Sequence, residues 1–498
     1  MSKVKNIVAG ALITFFLSSI SVFGEVKIAP CPESEPLCAD YTLTVDGEPV
    51  AVNACRVSAW PINRVWPGSQ RPIDQTEIAS FAAWEMSSSA KIEVVSNRAI
   101  ESVMIRPQSL GIVPTIEENR ISFELPRPTA VVVEVNGFHQ ALHLLPSRIY
   151  SPPADKNAPG LHYFGPGVHD VGILKLQENE SVYLDAGAYF YGGIEAESVS
   201  NVKVEGPGVI DASRLEREAD GGYKVGGCLR FVHCKNVTVD GPVLRDPNVW
   251  TVNVFDCDDS TFKNLRLIGL WRYNADGIDV CNCRNILVEG CFLRTFDDAL
   301  VLKGIPSFSD KPNQNVTFRG CTVWCDWGRA LEIGAETCTP EDANILFEDC
   351  DVIRTSAVAL DVQHWDQGDV HDITFDNIRV EFDDWIPSEQ YQNSDEQKYV
   401  VNKDDGYSPR LMVIVMPPGP SPWQPNDVRK GITRNITFRN VTIYANKTPP
   451  SYFQALDAEH NIDGVVIENV RFVGKEPLLD AEALNLSISE HVSNVTIR

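Results

Sequence analysis

Three aspartates occupy two short segments whose spacing could place them together. Residues 273–280 read YNADGIDV and residues 295–303 read TFDDALVLK, so that Asp276 precedes Asp297 and Asp298 by 21 and 22 residues. Crowded carboxyl groups repel one another, and one of them then holds its proton to a higher pH than usual. Such an acid beside ionised carboxylates suits the cleavage of a glycosidic bond, in which one group protonates the leaving oxygen and another takes a proton from water.

A purely structural explanation competes with this chemistry. Asp-Asp and Asp-Gly pairs are common in turns, where the side chain bonds to nearby backbone groups. On spacing alone both interpretations remain open. The chemical one requires a fold that repeats about every 21 or 22 residues and brings the two segments to one face.

A sequence repeat predicts such a fold. An Asn or Asp followed by alternating aliphatic residues recurs at roughly 23–35 residues, the range of solenoid proteins. Its copies begin at Asn201, Asn236, Asp259, Asn285, Asn315, Asn344, Asp372, Asn435, Asp463 and Asn494. Alternation of this kind predicts β-strands, and one strand at the same phase of every repeat predicts turns that stack in parallel. We therefore predict an all-β protein with a right-handed parallel β-helix over residues 161–498.

The residues before the repeats have a different pattern. Residues 25–160 contain alternating segments separated by turn residues, without a stacking period, and predict a small antiparallel β-sandwich. Residues 1–24 predict a signal peptide, with Lys3 and Lys5 before a short apolar run. A membrane anchor is the alternative, although the run is shorter than the roughly 20 residues of a span. We expect a secreted protein, extracellular or periplasmic, with no membrane span in the mature chain.

Composition limits the possible partners. The formal net charge of −25 over 498 residues argues against nucleic acid, which needs a basic surface. The 13 cysteines are an odd number, and Cys31, Cys38 and Cys55 could include one disulfide bridge in an exported protein. The other ten lack the spacing of a zinc site and are expected in the core. No metal or cofactor is predicted.

One repeat is interrupted by a long insertion at about residues 377–434. It holds five aromatic residues, Trp385, Tyr391, Tyr399, Tyr407 and Trp423. A loop of this length in a compact fold is usually functional or disordered. These aromatic rings could stack on sugars, or the insertion could pack on the solenoid without touching a ligand.

The acidic motifs resemble those of a known enzyme family. Asn274-x-Asp276-Gly277 followed by Asp297-Asp298 resembles the N-T-D-G and D-D motifs of glycoside hydrolase family 28, the polygalacturonases. The resemblance covers about residues 160–380, and the sandwich-then-helix layout also resembles the family 49 dextranases. It implies that Asp297 is the general acid, that Asp276 and Asp298 activate water, and that the anomeric centre is inverted.

Two departures from the family pattern concern the substrate. Arg329 stands where the family has the histidine of a G-H-G segment, and it could hold an aspartate through a charge-assisted bond. The family's R-I-K motif, which grips a sugar carboxylate, falls on residues 361–363, where Asp361 would repel a uronate. We therefore expect a neutral sugar at the cleavage point, or a uronate bound by other residues.

Other polar and aromatic residues near these motifs are candidates for substrate binding. They are Asn274, Lys303, Arg329, Asp361, Gln363, His364 and Trp271. For Lys303 the alternative is charge balance among the aspartates. For His364 and Trp271 the alternative is core packing, which is common for both residue types.

The sequence thus predicts a secreted, monomeric glycoside hydrolase of polygalacturonase-like type that acts on a polysaccharide or oligosaccharide. Two other functions remain open. A β-helix lyase would use Ca²⁺ and a basic residue on a uronate, and clustered aspartates supply the oxygen ligands that Ca²⁺ prefers. A non-catalytic carbohydrate-binding solenoid would use the same aspartates only to bond sugar hydroxyls.

Overall fold

The structure, a computed structural model, describes residues 24–63, 73–217, 226–394, 396–419 and 430–498. Residues 1–23 of the expected signal peptide and Trp423 of the insertion lie outside these ranges. Within them, the regular elements are 45 strands and two short 3-10 helices, Ile73–Gln75 and Gln108–Leu110. No helix of these ranges has the length and apolar character needed to cross a membrane.

One face of a parallel β-helix is a 12-stranded sheet in which each strand pairs with the next turn. Its strands are Leu161–Phe164, Ser181–Leu184, Lys203–Glu205, Thr238–Asp240, Asp258–Lys263, Arg284–Glu289, Asn313–Arg319, Glu341–Glu348, Asp369–Asp376, Thr433–Arg439, Ile462–Glu468 and Val492–Ile497. The predicted repeats coincide with this face, and the stacking of turns that they predict is confirmed.

The other two faces start from two long strands, Gly167–Leu176 and Ala188–Glu197, and then separate into two ladders. The sandwich-side ladder contains Val209–Asp211, Val243–Arg245, Arg266–Ile268, Phe292–Thr295, Thr322–Cys325, Asp351–Thr355, Arg379–Glu381, Thr442–Tyr444 and Arg471–Phe472. The site ladder contains Leu229–Val232, Val252–Phe255, Ile278–Cys281, Leu300–Gly304, Arg329–Thr337, Val358–His364, Arg410–Val415, Ser451–Gln454 and Leu486–Ile488.

The Asn residues of the repeats form a ladder of their own beside the 12-stranded sheet. Asn285 and Asn315 have φ values of 56° and 57°, a left-handed conformation that Asn tolerates better than most residues. The side-chain amide of Asn315 donates to Asn285 Oδ1 over 3.1 Å, and Asn285 donates to Asp259 over 2.8 Å. Each turn therefore begins with a side chain that is bonded to the turn before it.

The interior of the helix is filled by stacked apolar side chains. Phe318, Phe347, Phe375 and Phe438 stack in sequence with ring centroids 4.7–5.1 Å apart. The ten cysteines from Cys228 to Cys350 are all buried, as expected of core residues. The suggested disulfide among the N-terminal cysteines is wrong, because Cys31, Cys38 and Cys55 are all free thiols.

The N-terminal part is a two-sheet sandwich. One sheet holds Val26–Lys27, Asn53–Ser58, Thr76–Met86, Val103–Arg106, Val131–Val135 and Leu142–Ser147, and the other holds Tyr41–Val45, Glu48–Val50, Ala90–Ser96, Thr115–Glu117 and Arg120–Leu125. The pairing is antiparallel except between Thr76–Met86 and Leu142–Ser147, which run parallel.

The sandwich packs on the sandwich-side ladder through apolar and charged contacts. Val132 and Leu145 of the sandwich cluster with Phe292 and Trp324 of the helix. Buried Arg106 lies 2.6 Å from Glu381 of the helix. Separately, residues Ile62–Asn63 of the sandwich pair in parallel with Gln390–Tyr391 of the long insertion. The sandwich therefore contacts both the helix wall and the insertion.

Candidate active site

Asp276 lies just before the strand Ile278–Cys281 of the site ladder, and the glycine that follows it fixes its position. The strands Ile278–Cys281 and Leu300–Gly304 pair with Ile278 opposite Leu300, and both begin just after the predicted aspartates. A Cβ on Gly277 would lie 2.3 Å from Ala299 O, so only glycine fits this approach. Gly277 N also donates to Asp298 O over 2.8 Å. The Asp-Gly motif thus fastens one aspartate directly to the turn that carries the other two.

The Asp297-Asp298 pair is supported from the next turn by a second glycine. A Cβ on Gly328 would lie 2.5 Å from Asp298 N and 2.6 Å from Asp298 Oδ1. Arg329 N then donates to Asp298 Oδ1 over 3.1 Å. Gly328 therefore allows a backbone donor to approach the carboxylate of Asp298.

Lys303 lies among the predicted catalytic acids. Its ammonium is 2.9 Å from Asp276 Oδ2, 2.9 Å from Asp279 Oδ1 and 3.8 Å from Asp298 Oδ2. It also lies 3.8 Å from the ring centroid of Trp250, on which a cation is stabilised. These contacts fit the charge-balance alternative for Lys303, because its ammonium is compensated by carboxylates inside the protein.

The electrostatics raise the proton affinity of Asp297 and of Asp276. Burial, and then the charge of Asp298, raise the pKa of Asp297 to about 7, although Arg329 and Lys303 act in the opposite direction. Burial also raises the pKa of Asp276, against the lowering effect of Lys303. At neutral pH Asp297 is thus poised to give up a proton, the property required of a general acid.

Three buried acidic residues lie in a row beneath the site, and sequence reasoning missed two of them, Asp279 and Glu332. Asp279, Glu332 and Asp361 are buried on the site ladder, in register through Val301. Burial raises the pKa of Asp279 and of Asp361 to about 7 and raises that of Glu332 well above its usual value. Asp279 stood two residues after the motif glycine, so its phase in the repeat could have identified it.

Arg329 connects this row to the predicted catalytic residues. Its guanidinium lies 3.6 Å from Asp361 Oδ2 and 3.9 Å from Asp298 Oδ1, with a third of the side chain exposed. Asp361 itself is 2% exposed. The sequence led us to expect an unpaired negative charge in the cleft, but the structure has a buried carboxyl beside Arg329.

The remaining predicted contacts divide into two groups. Asn274 is partly exposed, and its Oδ1 accepts a bond of 3.1 Å from Arg217, which sequence reasoning missed. Gln363 is also partly exposed and donates to Glu332 over 3.4 Å. His364 is fully buried with its Nδ1 2.8 Å from Thr433 Oγ1, which corrects its expected place in the cleft.

Trp271 also differs from the expected sugar platform. It is 7% exposed, its Nε1 donates to Asp246 Oδ1 over 2.8 Å, and Arg272 lies 4.6 Å from its ring centroid. The ring is therefore used in internal packing, the alternative that the sequence had left open.

The long insertion brings two further residues to the site. Burial raises the pKa of Glu389 to about 7, Arg329 opposes this rise, and the charges of Asp297 and Asp298 add to it. Tyr391 is 64% exposed. Burial raises the pKa of its hydroxyl, and the charges of Glu389 and Asp297 add to this rise. The sequence had named Tyr391 among the aromatic residues of the insertion that could stack on sugars, but it gave no signal for Glu389, because a contact between distant parts of the chain sets the place of this segment.

Part of the chain is similar in sequence to known proteins. The family model "Glycosyl hydrolases family 28" matches residues 151–384. A relative from Aspergillus niger, named for galacturan 1,4-alpha-galacturonidase, is 23% identical over 267 residues, which are 51% of each protein. Polygalacturonase QRT2 of Arabidopsis thaliana is 26% identical over 186 residues, 33% of this chain and 36% of that protein. The chain spans about half or less of the length of these relatives.

Solved structures share the fold. Dex49A from Penicillium minioluteum superposes with a TM-score of 0.55 at 13% identity, covering 95% of this chain and 96% of that one. The family 28 exopolygalacturonase of Yersinia enterocolitica gives a TM-score of 0.51 at 14% identity, covering 82% and 96%. Residues 151–384, with the three aspartates among them, thus match glycoside hydrolase family 28.

Proposed function

We propose that the protein is a glycoside hydrolase of polygalacturonase-like type that cleaves a polysaccharide with inversion. The observation that carries the proposal is Asp297, a buried carboxyl whose pKa is raised to about 7 beside Asp298 and one turn from Asp276. Asp297 donates its proton to the glycosidic oxygen as the bond to the anomeric carbon breaks. Asp276 and Asp298 orient a water molecule and take its proton as the new bond forms on the opposite face.

The charges around the site favour a neutral sugar at the cleavage point. Lys303 is compensated by Asp276 and Asp279, and Arg329 lies beside Asp361 and Asp298. A uronate placed there would add negative charge to a site already rich in carboxyls, at a cost to binding. We propose in addition that the protein is secreted and acts as a monomer.

A reducing-sugar screen tests the hydrolase proposal. The glycans are pectins, dextran, pullulan and other plant and algal polymers, and wild type is compared with the variant Asp297→Asn. Wild type should release reducing ends from at least one glycan, and Asp297→Asn should lower the rate by roughly 10²–10⁴-fold, the usual contribution of an acid catalyst. Asp310→Asn, a change at an exposed loop position, is the matched control and should keep full activity. Full activity of Asp297→Asn would contradict the assigned role.

Two product assays refine the result. Proton NMR of the first product should show the anomeric configuration opposite to that of the substrate. Polygalacturonate and its fully methyl-esterified form share one backbone, but the ester replaces each carboxylate by a neutral group, so a preference for the ester would support a neutral sugar. Faster cleavage of the free acid would reject that part while leaving hydrolysis intact.

A further inference from the structure

The segment around Tyr391 is attached to the N-terminal sandwich through its backbone. Gln390–Tyr391 pairs with Ile62–Asn63, and Gln390 N donates to Pro61 O over 2.9 Å. Gln392 N donates to Asn63 O over 2.6 Å. A short piece of the insertion thus has its backbone donors satisfied by the sandwich, far away in sequence.

A pair of aromatic side chains supports the same segment. Trp60 of the sandwich stacks on Tyr399 with ring centroids 5.0 Å apart and an interplanar angle of 5°. The Tyr399 hydroxyl donates to Ser388 O over 2.7 Å. Trp60 therefore acts on the residues just before Tyr391 through one intermediate side chain.

The ring of Tyr391 contacts a tryptophan whose backbone is bonded to the residue before the predicted acid. Its edge-to-face contact with Trp327 has a centroid distance of 5.0 Å and an angle of 80°. Trp327 N in turn donates to Phe296 O over 2.7 Å, directly before Asp297. At the same time 64% of Tyr391 is exposed, so the side chain remains open to solvent.

We propose that Tyr391 is a platform that stacks on a sugar ring of the substrate beside Asp297, and that Trp60 is a positioning residue that fixes this platform. The apolar C–H face of a pyranose matches an exposed aromatic ring, whose body is apolar and whose hydroxyl stays in water. The sandwich is then part of the substrate cleft. The ligand class rests on the proposed hydrolase function.

Kinetics of single variants form the first test. Tyr391→Ala should raise KM by roughly 5- to 10-fold on the glycan that wild type cleaves, the effect expected from losing one aromatic contact. Tyr391→Phe keeps the ring and should stay within about twofold of wild type, well below that loss. Trp60→Ala should raise KM like Tyr391→Ala although Trp60 lies on the sandwich, whereas a purely structural role would lower the melting temperature and leave KM unchanged.

The double variant separates positioning from general damage. If Trp60 acts through Tyr391, then Trp60→Ala combined with Tyr391→Ala should have the KM of Tyr391→Ala alone, because neighbouring effects on one contact do not add. Multiplying effects would overturn the role of Trp60. A KM for Tyr391→Ala equal to that of wild type would overturn the platform itself.

A binding assay keeps this inference apart from the proposed function. Asp297→Asn protein is run in native gels that contain polygalacturonate, dextran or pullulan, with and without Tyr391→Ala. Retardation that requires Tyr391 supports the platform even if wild type cleaves nothing, a result that would reject hydrolysis. Cleavage together with retardation that is independent of Tyr391 would reject the platform and leave hydrolysis in place.

Discussion

Lys303 Nζ lies 2.9 Å from Asp276 Oδ2, and both side chains are almost completely buried. The same ammonium lies 2.9 Å from Asp279, so a single cation compensates two carboxylates that both belong to the preceding turn. Asp276, Asp279 and Asp298 in return raise the pKa of Lys303 well above its usual value, against the effect of burial. Lys303 thus keeps its positive charge and offsets the negative charges of the carboxylates in the candidate active site.

Replacing Lys303 by Met should destabilise the protein and abolish activity. The variant leaves Asp276 and Asp279 buried without a counter-ion, which typically costs about 3–5 kcal/mol. The loss should grow as the pH rises above about 7, where the buried carboxyls ionise, and shrink as the pH falls, because protonation removes the uncompensated charges. Urea unfolding at two pH values measures it.

The control for that experiment is Lys203→Met. Lys203 pairs with Glu205 over 3.1 Å but is half exposed, so its removal should change the free energy of unfolding by less than about 1 kcal/mol. Equal losses in the two variants would show that Lys303 does not have a special place in the charge balance.

The activity should fall as the pH rises through about 7. Asp297 must be protonated to act as the acid, and burial together with Asp298 raises its pKa to about that value. Glu389→Gln removes a neighbouring negative charge and should move this limb of the profile to lower pH. Initial rates from about pH 4 to about pH 9 give both curves. A limb that does not move would remove Glu389 from the electrostatics of the site.

The stability of Asp297→Asn should exceed that of wild type, but only in neutral and alkaline solution. The folded protein raises the pKa of Asp297 from its usual value to about 7, so unfolding is favoured once that carboxyl ionises. The native contribution is therefore complete below the unfolded pKa of about 4 and is lost as the pH rises through about 7. We expect the Asn variant to gain about 1–3 kcal/mol at pH 8 and almost nothing at pH 4. A gain that is equal at both values would contradict this linkage.

Gly328→Ala should lower activity more strongly than its small size suggests. The added Cβ would lie 2.5 Å from Asp298 N, too close for any real contact, and would displace the Asp297-Asp298 pair. Movement of catalytic groups by about 1 Å can reduce a rate by roughly 100-fold. The matched control is Gly165→Ala, whose nearest neighbour would be an ordinary 3.4 Å away. Similar kinetics for the two variants would remove Gly328 from the architecture of the site.

The features that the sequence could predict are those that repeat. An Asn or Asp followed by aliphatic alternation recurs along the repeats, so Asn285 and Asn315 could be assigned to equivalent positions. The interval between Asp276 and Asp297 is about one turn, and this was enough to expect them on neighbouring strands. Both inferences follow because residues at the same position of successive repeats stack on one another.

The features that escaped prediction depend on contacts outside that repeat. The burial of His364 depends on Thr433, 69 residues later in the chain. The place of Tyr391 depends on Ile62 and Asn63, which pair with the insertion across most of the chain. No period in the sequence connects these residues, so their roles could be read only from the assembled structure.

The stacking of turns also separates two properties of the protein, the position of the reacting groups and the length of the surface beside them. The aspartates depend on the turns between Asp276 and Arg329, whereas the site ladder continues over further turns on both sides of them. Adding or deleting one whole turn near Leu486–Ile488 would change how many sugars the groove can hold without moving the reacting groups. In this architecture the number of turns can therefore change without a change in the reaction.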